Sequence, residues 1–128
     1  MKGPVWVSRE TVLALHDQLL AEFGGATGLR DEGLLASALS RPEHLFTYGK
    51  PSVFDLSASY AFGLVKNHAF IDGNKRVGFL VAALFLEING WRLHADEADA
   101  AVRTFALAAG AMDEAEYAAW LKANAGRA

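Results

Sequence analysis

The segment His68-Ala69-Phe70-Ile71-Asp72-Gly73-Asn74-Lys75-Arg76 gathers an imidazole, a carboxylate, a glycine, an amide and two cations just before a long apolar run. A helix starting at Asn74 would turn unpaired amides and about half a unit of positive charge toward this loop, which favours an anion. Gly73 lets the backbone approach that anion closely, and phosphate is the natural guest. Lys75 and Arg76 oppose the helix dipole in a first turn, an arrangement that makes sense where a bound anion offsets them. Asp72 offers a hard oxygen suited to Mg²⁺, which binds through one or two carboxylates plus substrate phosphates. His68 is the general base of the segment, with a reference pKa near working pH, and Phe70 anchors the loop in the core. Together these groups can position a nucleotide phosphate, neutralise its charge and take a proton from an attacking hydroxyl, which is most of what phosphoryl transfer asks of a protein. Each also has a plainer reading: His68 as a hydrogen-bonded structural histidine, Asp72 as a helix cap, Lys75 and Arg76 as solvated charges. Residue type and spacing leave both readings open.

Other chemistries find less support. The chain has no cysteine, which removes disulfides, thiolate zinc sites, iron–sulfur clusters and cysteine nucleophiles. His16, His44 and His94 are scattered and form no H-E-x-x-H zinc pattern, and neither G-x-S-x-G, a Walker A loop nor G-x-G-x-x-G occurs. A net charge of −3 gives no electrostatic footprint for nucleic acid.

The loop needs elements to hold it. Val12, His16, Leu19 and Phe23 recur at helical spacing, so a first helix is expected over 9–23, capped by Ser8 and stopped by Gly24-Gly25. Asp31 opens a short second helix that ends near Arg41-Pro42, followed by an irregular stretch over 43–51. Ser52 and Asp55 form a capping box for a third helix over 53–66, and a fourth runs from Asn74 to Ile88. The fourth is apolar nearly all round, the mark of the central helix of a bundle. Trp91 to His94 alternates briefly and pairs with Val5 to Val7 in a small β ribbon. A fifth helix opens at Asp96 or Glu97 with Val102, Phe105, Ala106 and Ala109 on one face, and Asp113 with Glu116 starts a sixth that carries Tyr117, Trp120 and Leu121. The expected fold class is therefore all-α, a compact six-helix bundle.

With 128 residues, 52% of them apolar and 21% charged, the chain is expected to be a single globular domain over 1–128 with one core, needing no staple. Its longest uncharged apolar run, Val77 to Leu86, is too short to span a bilayer, and Met1 to Val7 lacks a signal-peptide stretch. A soluble cytoplasmic protein is expected, with no membrane partner and no nucleic acid.

The nine-residue loop resembles the H-x-F-x-D-x-N-K-R motif of the Fic/Doc family, in its Doc (death-on-curing) branch of toxins from type II toxin–antitoxin systems. The resemblance extends upstream through Leu15-His16, Phe23-Gly24-Gly25, Gly28-Leu29-Arg30-Asp31 and Leu34 to Leu39, and through Val65-Lys66-Asn67. It is weakest after Asp96. It implies a helical fold whose loop binds ATP phosphates, with His68 as catalytic base, Asp72 as Mg²⁺ ligand, and Gly73, Asn74, Lys75 and Arg76 binding phosphate. In the Fic branch the loop reads H-P-F-x-D/E-G-N-G-R and serves AMP transfer. Ala69 here replaces that proline, and Lys75 replaces the second glycine, which is the Doc signature. A lysine side chain fills part of the anion cradle, and Doc-like proteins are understood to hold the nucleotide reversed and transfer its terminal phosphate to a translation elongation factor. The resemblance thus implies a protein kinase that inhibits translation, restrained by an antitoxin whose disordered tail folds on binding. No S/T-x-x-x-E inhibitory string occurs in the chain, which fits restraint from another polypeptide. The alternatives are a Fic-type AMP transferase that tolerates Lys75 and a non-catalytic binding module.

Overall fold

Ser8 opens the first helix as its chemistry suggests, its Oγ accepting from the Thr11 amide at 3.1 Å. In the computed structural model, which describes residues 3–128, this α1 covers Arg9–Phe23. The order continues with α2 (Glu32–Tyr48), α3 (Val53–Asn67), α4 (Asn74–Ile88), β1 (Trp91–Leu93), α5 (Glu97–Ala109), α6 (Glu114–Ala123) and β2 (Ala125–Arg127). Four expected caps form: Ser8, Asp31, the Ser52–Asp55 box and the Asp113–Glu116 box each hold orphan first-turn amides. The fold is all-α with a two-stranded sheet as its only sheet among the described residues.

Three expectations need correction. The second helix does not end at Arg41 but runs through Pro42 to Tyr48. Proline removes one helical hydrogen bond, yet its neighbourhood is anchored from outside. Arg41 donates to Ser59 O and Oγ at 3.3 Å and to Glu114 Oε1 at 2.9 Å, and Phe46 meets Trp6 edge-on at 5.7 Å. Tertiary contacts outweigh the local preference.

The β ribbon forms with a different partner. β1 pairs antiparallel with β2, Trp91 opposite Arg127 and Leu93 opposite Ala125. Val5 is instead fastened by the Asn89 side chain, which donates to Val5 O at 2.9 Å and accepts from Val5 N at 2.8 Å, and Val7 N donates to Tyr60 Oη at 3.0 Å. Side chains thus satisfy the N-terminal backbone and leave β1 free for the returning C-terminus.

α4 is a central helix as expected but not the sole one, since α3 is buried over more of its length. Ten of its residues are buried against seven in α4, because Ser57, Ala58, Ala61 and Gly63 keep it slim enough to be surrounded. One core lies around Val12, Leu35, Tyr60, Phe70, Val77 and Phe85, and a second around Ala61, Leu86, Leu107, Tyr117 and Leu121; α3 and α4 contribute to both.

The third correction concerns α5. It buries Ala100, Thr104 and Leu107, whereas Val102 and Phe105 are 65% and 62% exposed. Among the described residues no helix is long and apolar enough to cross a membrane.

Candidate active site

The loop from His68 to Gly73 joins the two central helices. His68 ends α3 in a left-handed conformation, φ 52°, and is the one non-glycine residue with positive φ among those described. Such a backbone costs about 1 kcal/mol or more outside glycine and Asn/Asp, so something must hold it. Arg30 does: its Nε donates to His68 O at 2.8 Å and its Nη2 to Asn67 O at 3.1 Å. The Arg30 and Asp31 amides then both donate to Ala69 O, at 2.7 and 3.1 Å, and Ile71 N donates to Gly28 O at 3.1 Å. The α1–α2 connection is therefore a strap lying antiparallel to the loop, with a bridge between Leu29 and Phe70.

Asp72 is exposed, and its carboxylate is aimed by two backbone donors: Gly73 N to Oδ1 at 2.8 Å, and Ala26 N to Oδ2 at 3.3 Å. The strap approaches this carboxylate so closely that a Cβ on Gly25, at φ 121°, would fall 2.7 Å from Oδ2. Asp72 is not the helix cap. That position belongs to Gly73, at φ 80° and ψ 14°, with no side-chain cap on the first turn of α4 and no acidic residue in that turn. The first-turn amides and the dipole are left for an external anion.

Lys75 and Arg76 are exposed in that turn, and neither appears in an ion pair among the described residues. The Lys75 ammonium lies 5.8 Å from the Phe105 ring centroid and the Arg76 guanidinium 4.3 Å from that of Phe23. Asn74 is placed differently. It is 4% exposed, and its amide closes on Phe70 from both sides, accepting from Phe70 N at 3.0 Å and donating to Phe70 O at 2.9 Å. Its side chain thus braces the loop, and what it can offer an anion is the backbone amide of a first helical turn. Phe70 itself is buried, as expected.

His68, Asp72, Gly73, Lys75 and Arg76 therefore share one pinned loop and one helix end. No cluster of three or more His, Cys, Asp or Glu forms a ready metal cage among the described residues. A lone exposed carboxylate with its oxygens fixed suits Mg²⁺ that arrives with a nucleotide and takes its other ligands from phosphate and water. Three residues that shape the site, Arg30, Gly25 and His16, carry the family resemblance in the sequence but show no site role there. The positive-φ glycines Gly24, Gly25 and Gly28 were the available signal, since a glycine cluster in a connection often marks close backbone approach.

Beside the loop, α1, α4 and α5 enclose an open groove of about 550 Å³, lined by Leu19, Phe23, Lys75, Arg76, Leu80 and Phe105, among others. Its walls are apolar apart from the two loop cations and Glu97 and Thr104.

The fold is thus a helical bundle whose two central helices are joined by a loop with a histidine at one end and paired cations at the helix start beyond it, an arrangement chemically suited to a phosphate group. The sequence profile of the Fic/DOC family matches residues 6–86. The chain is 40% identical over 94 residues to "Toxin Doc" of Mycolicibacterium smegmatis (strain ATCC 700084 / mc(2)155), covering 71% of this chain and 69% of that one. It is 34% identical over 85 residues to "Protein kinase doc" of Escherichia phage P1, covering 66% and 68%. The chain belongs to the Fic/DOC family.

Proposed function

We propose that this protein is a Doc-type toxin, a kinase that transfers the γ-phosphate of ATP to a hydroxyl of a protein and so inhibits translation, with a translation elongation factor as substrate. The observation that carries the reading is Lys75 beside Arg76 in the uncapped first turn of α4, on the same pinned loop as His68 and Asp72. The names of the two relatives point the same way.

In this reading the amides of Asn74 and Lys75 and the side chains of Lys75 and Arg76 bind the phosphates, while the Gly73 N–H aims the Asp72 carboxylate. Asp72 would hold Mg²⁺, which when bound neutralises phosphate charge. His68, exposed at the loop entrance, takes the proton of the target hydroxyl as its oxygen attacks the γ-phosphorus. The bond to the β–γ bridging oxygen breaks and ADP leaves. The cations offset the charge that accumulates on the equatorial and leaving oxygens.

The same reading supplies a partner. A cognate antitoxin with a tail that folds on binding would seat an amphipathic helix in the groove between α1, α4 and α5, its apolar side on Leu19, Leu80 and Phe105 and its carboxylates on Lys75 and Arg76. An occupant there shares its cations with ATP.

The test is transfer from ATP labelled separately on the α- and γ-phosphates to purified elongation factor and to whole lysate. γ label is expected on protein, lost in His68→Ala with the melting temperature kept. α label instead would make the protein an AMP transferase; transfer of neither, with growth arrest surviving every loop substitution, would make it a binding module.

A further inference from the structure

His16 stands out among the buried groups that the proposed chemistry does not use. It occupies an apolar position of α1 with Val12, Leu19 and Leu20, and is 2% exposed. Burying an imidazole costs desolvation that a leucine there would avoid. Its ring lies flat on Phe70, centroids 3.8 Å apart and planes 15° from parallel, and its Nε2 is 2.7 Å from the backbone oxygen of Asp72. A carbonyl only accepts, so Nε2 carries the proton.

The peptide that His16 grips is the one between Asp72 and Gly73. In a planar trans peptide the C=O and N–H point in opposite directions. With the carbonyl held inward by His16, the Gly73 N–H faces outward, where it meets Asp72 Oδ1 at 2.8 Å. One hydrogen bond on the inner side thus fixes both a donor and the carboxylate on the outer side. Gly73, at φ 80° and ψ 14°, lies in the left-handed region, and a half rotation of the preceding peptide would carry it to negative φ, the change that relates type II and type I turns. The rotated form would place the Asp72 carbonyl oxygen, a partial negative charge, where the loop otherwise presents an amide.

We propose that His16 is a positioning residue that locks the Asp72–Gly73 peptide in its amide-out orientation and so keeps the phosphate loop competent. The inference rests on the function proposed above, but its first readouts need neither nucleotide nor metal.

The experiment compares wild type with His16→Leu, which fills the site without a donor, and His16→Gln, whose side-chain amide can reach the same carbonyl. In nucleotide-free protein, Gly73 amide exchange is expected to quicken about tenfold in His16→Leu and to return toward wild type in His16→Gln. The KM for ATP should rise about tenfold in His16→Leu with a smaller change in kcat, again restored by Gln. Unchanged Gly73 exchange and ATP KM in a folded His16→Leu would overturn the proposal. Should that variant not fold, the wild-type imidazole nitrogen spectrum decides: the Nε2–H tautomer is required, and the Nδ1–H tautomer overturns it. Absence of any transfer by wild type would instead strike the function, leaving the exchange and tautomer results to stand or fall separately.

Discussion

His68 is presented by a left-handed backbone, and Arg30 is the residue that holds it there. The loop is thus assembled from outside: Arg30 at its start, Asn74 at its bend, His16 under its turn, and the strap amides along its length. Such bracing leaves the exposed cations with little part in folding. Arg76→Ala is accordingly expected to weaken ATP binding by about tenfold or more, the scale of a lost charge-assisted hydrogen bond. Helix content by circular dichroism should stay as in wild type; unfolding of the variant would count against the site. The residue scale also marks a limit of linear reading. The types at 68–76 suggest a phosphate site and place Asn74 among its ligands, whereas the Asn74 side chain is spent on Phe70. The sequence gives no sign of which polar groups a fold will spend on itself.

Among the elements, α2 and α3 approach through Gly63. A Cβ there would lie 3.1 Å from both Cα and O of Ala38, and backbone cannot yield as a side-chain tip can. Alanine would add about 1 kcal/mol of helix propensity, but overpacking against a rigid neighbour costs about 1–3 kcal/mol. Gly63→Ala is therefore expected to lower the unfolding free energy, seen as a reduced urea midpoint with an unchanged slope; a gain would show that the helices can part. The helix ends of α1 and α4 were legible to the residue because Ser8, Gly24, Gly73 and Asn89 are strong local signals. The length of α2 was not, since Pro42 speaks locally against a helix that Arg41 and Phe46 hold from a distance. The periodicity of α5 was real but misassigned: Val102 and Phe105 form an apolar face that the chain itself leaves exposed, Phe105 on the groove wall.

For the whole molecule, two cores share α3 and α4, so the described residues are expected to unfold in one cooperative transition. Tyr60 and Tyr117 give that transition an alkaline edge. Burial pushes both phenols up to about 12, Tyr60 against its hydrogen bond with Val7 and Tyr117 against that with Thr104. A phenol whose folded pKa lies above its unfolded value of about 10 stabilises the fold fully below pH 10, and this stabilisation fades as pH rises toward 12. The melting temperature should fall across that window, and less steeply in Tyr117→Phe measured against its own neutral-pH value. Equal slopes in the two proteins would remove Tyr117 as a cause.

Read along the chain, the sequence alone determined the helical class, the caps, the extent of α1 and α4, and which loop gathers the polar groups of the proposed site, because each follows from side chains within a few residues of one another. Tertiary structure decided the rest. The strap on the loop joins residues about forty positions apart, and His16 reaches Asp72 across 56; β1 found its partner at the C-terminus rather than at Val5. The path of α2 past Pro42 was set in the same way. Spacing along the chain encodes periodicity and caps, whereas the partner of a buried imidazole or a free strand edge depends on which surfaces pack together, and that is a property of the folded molecule.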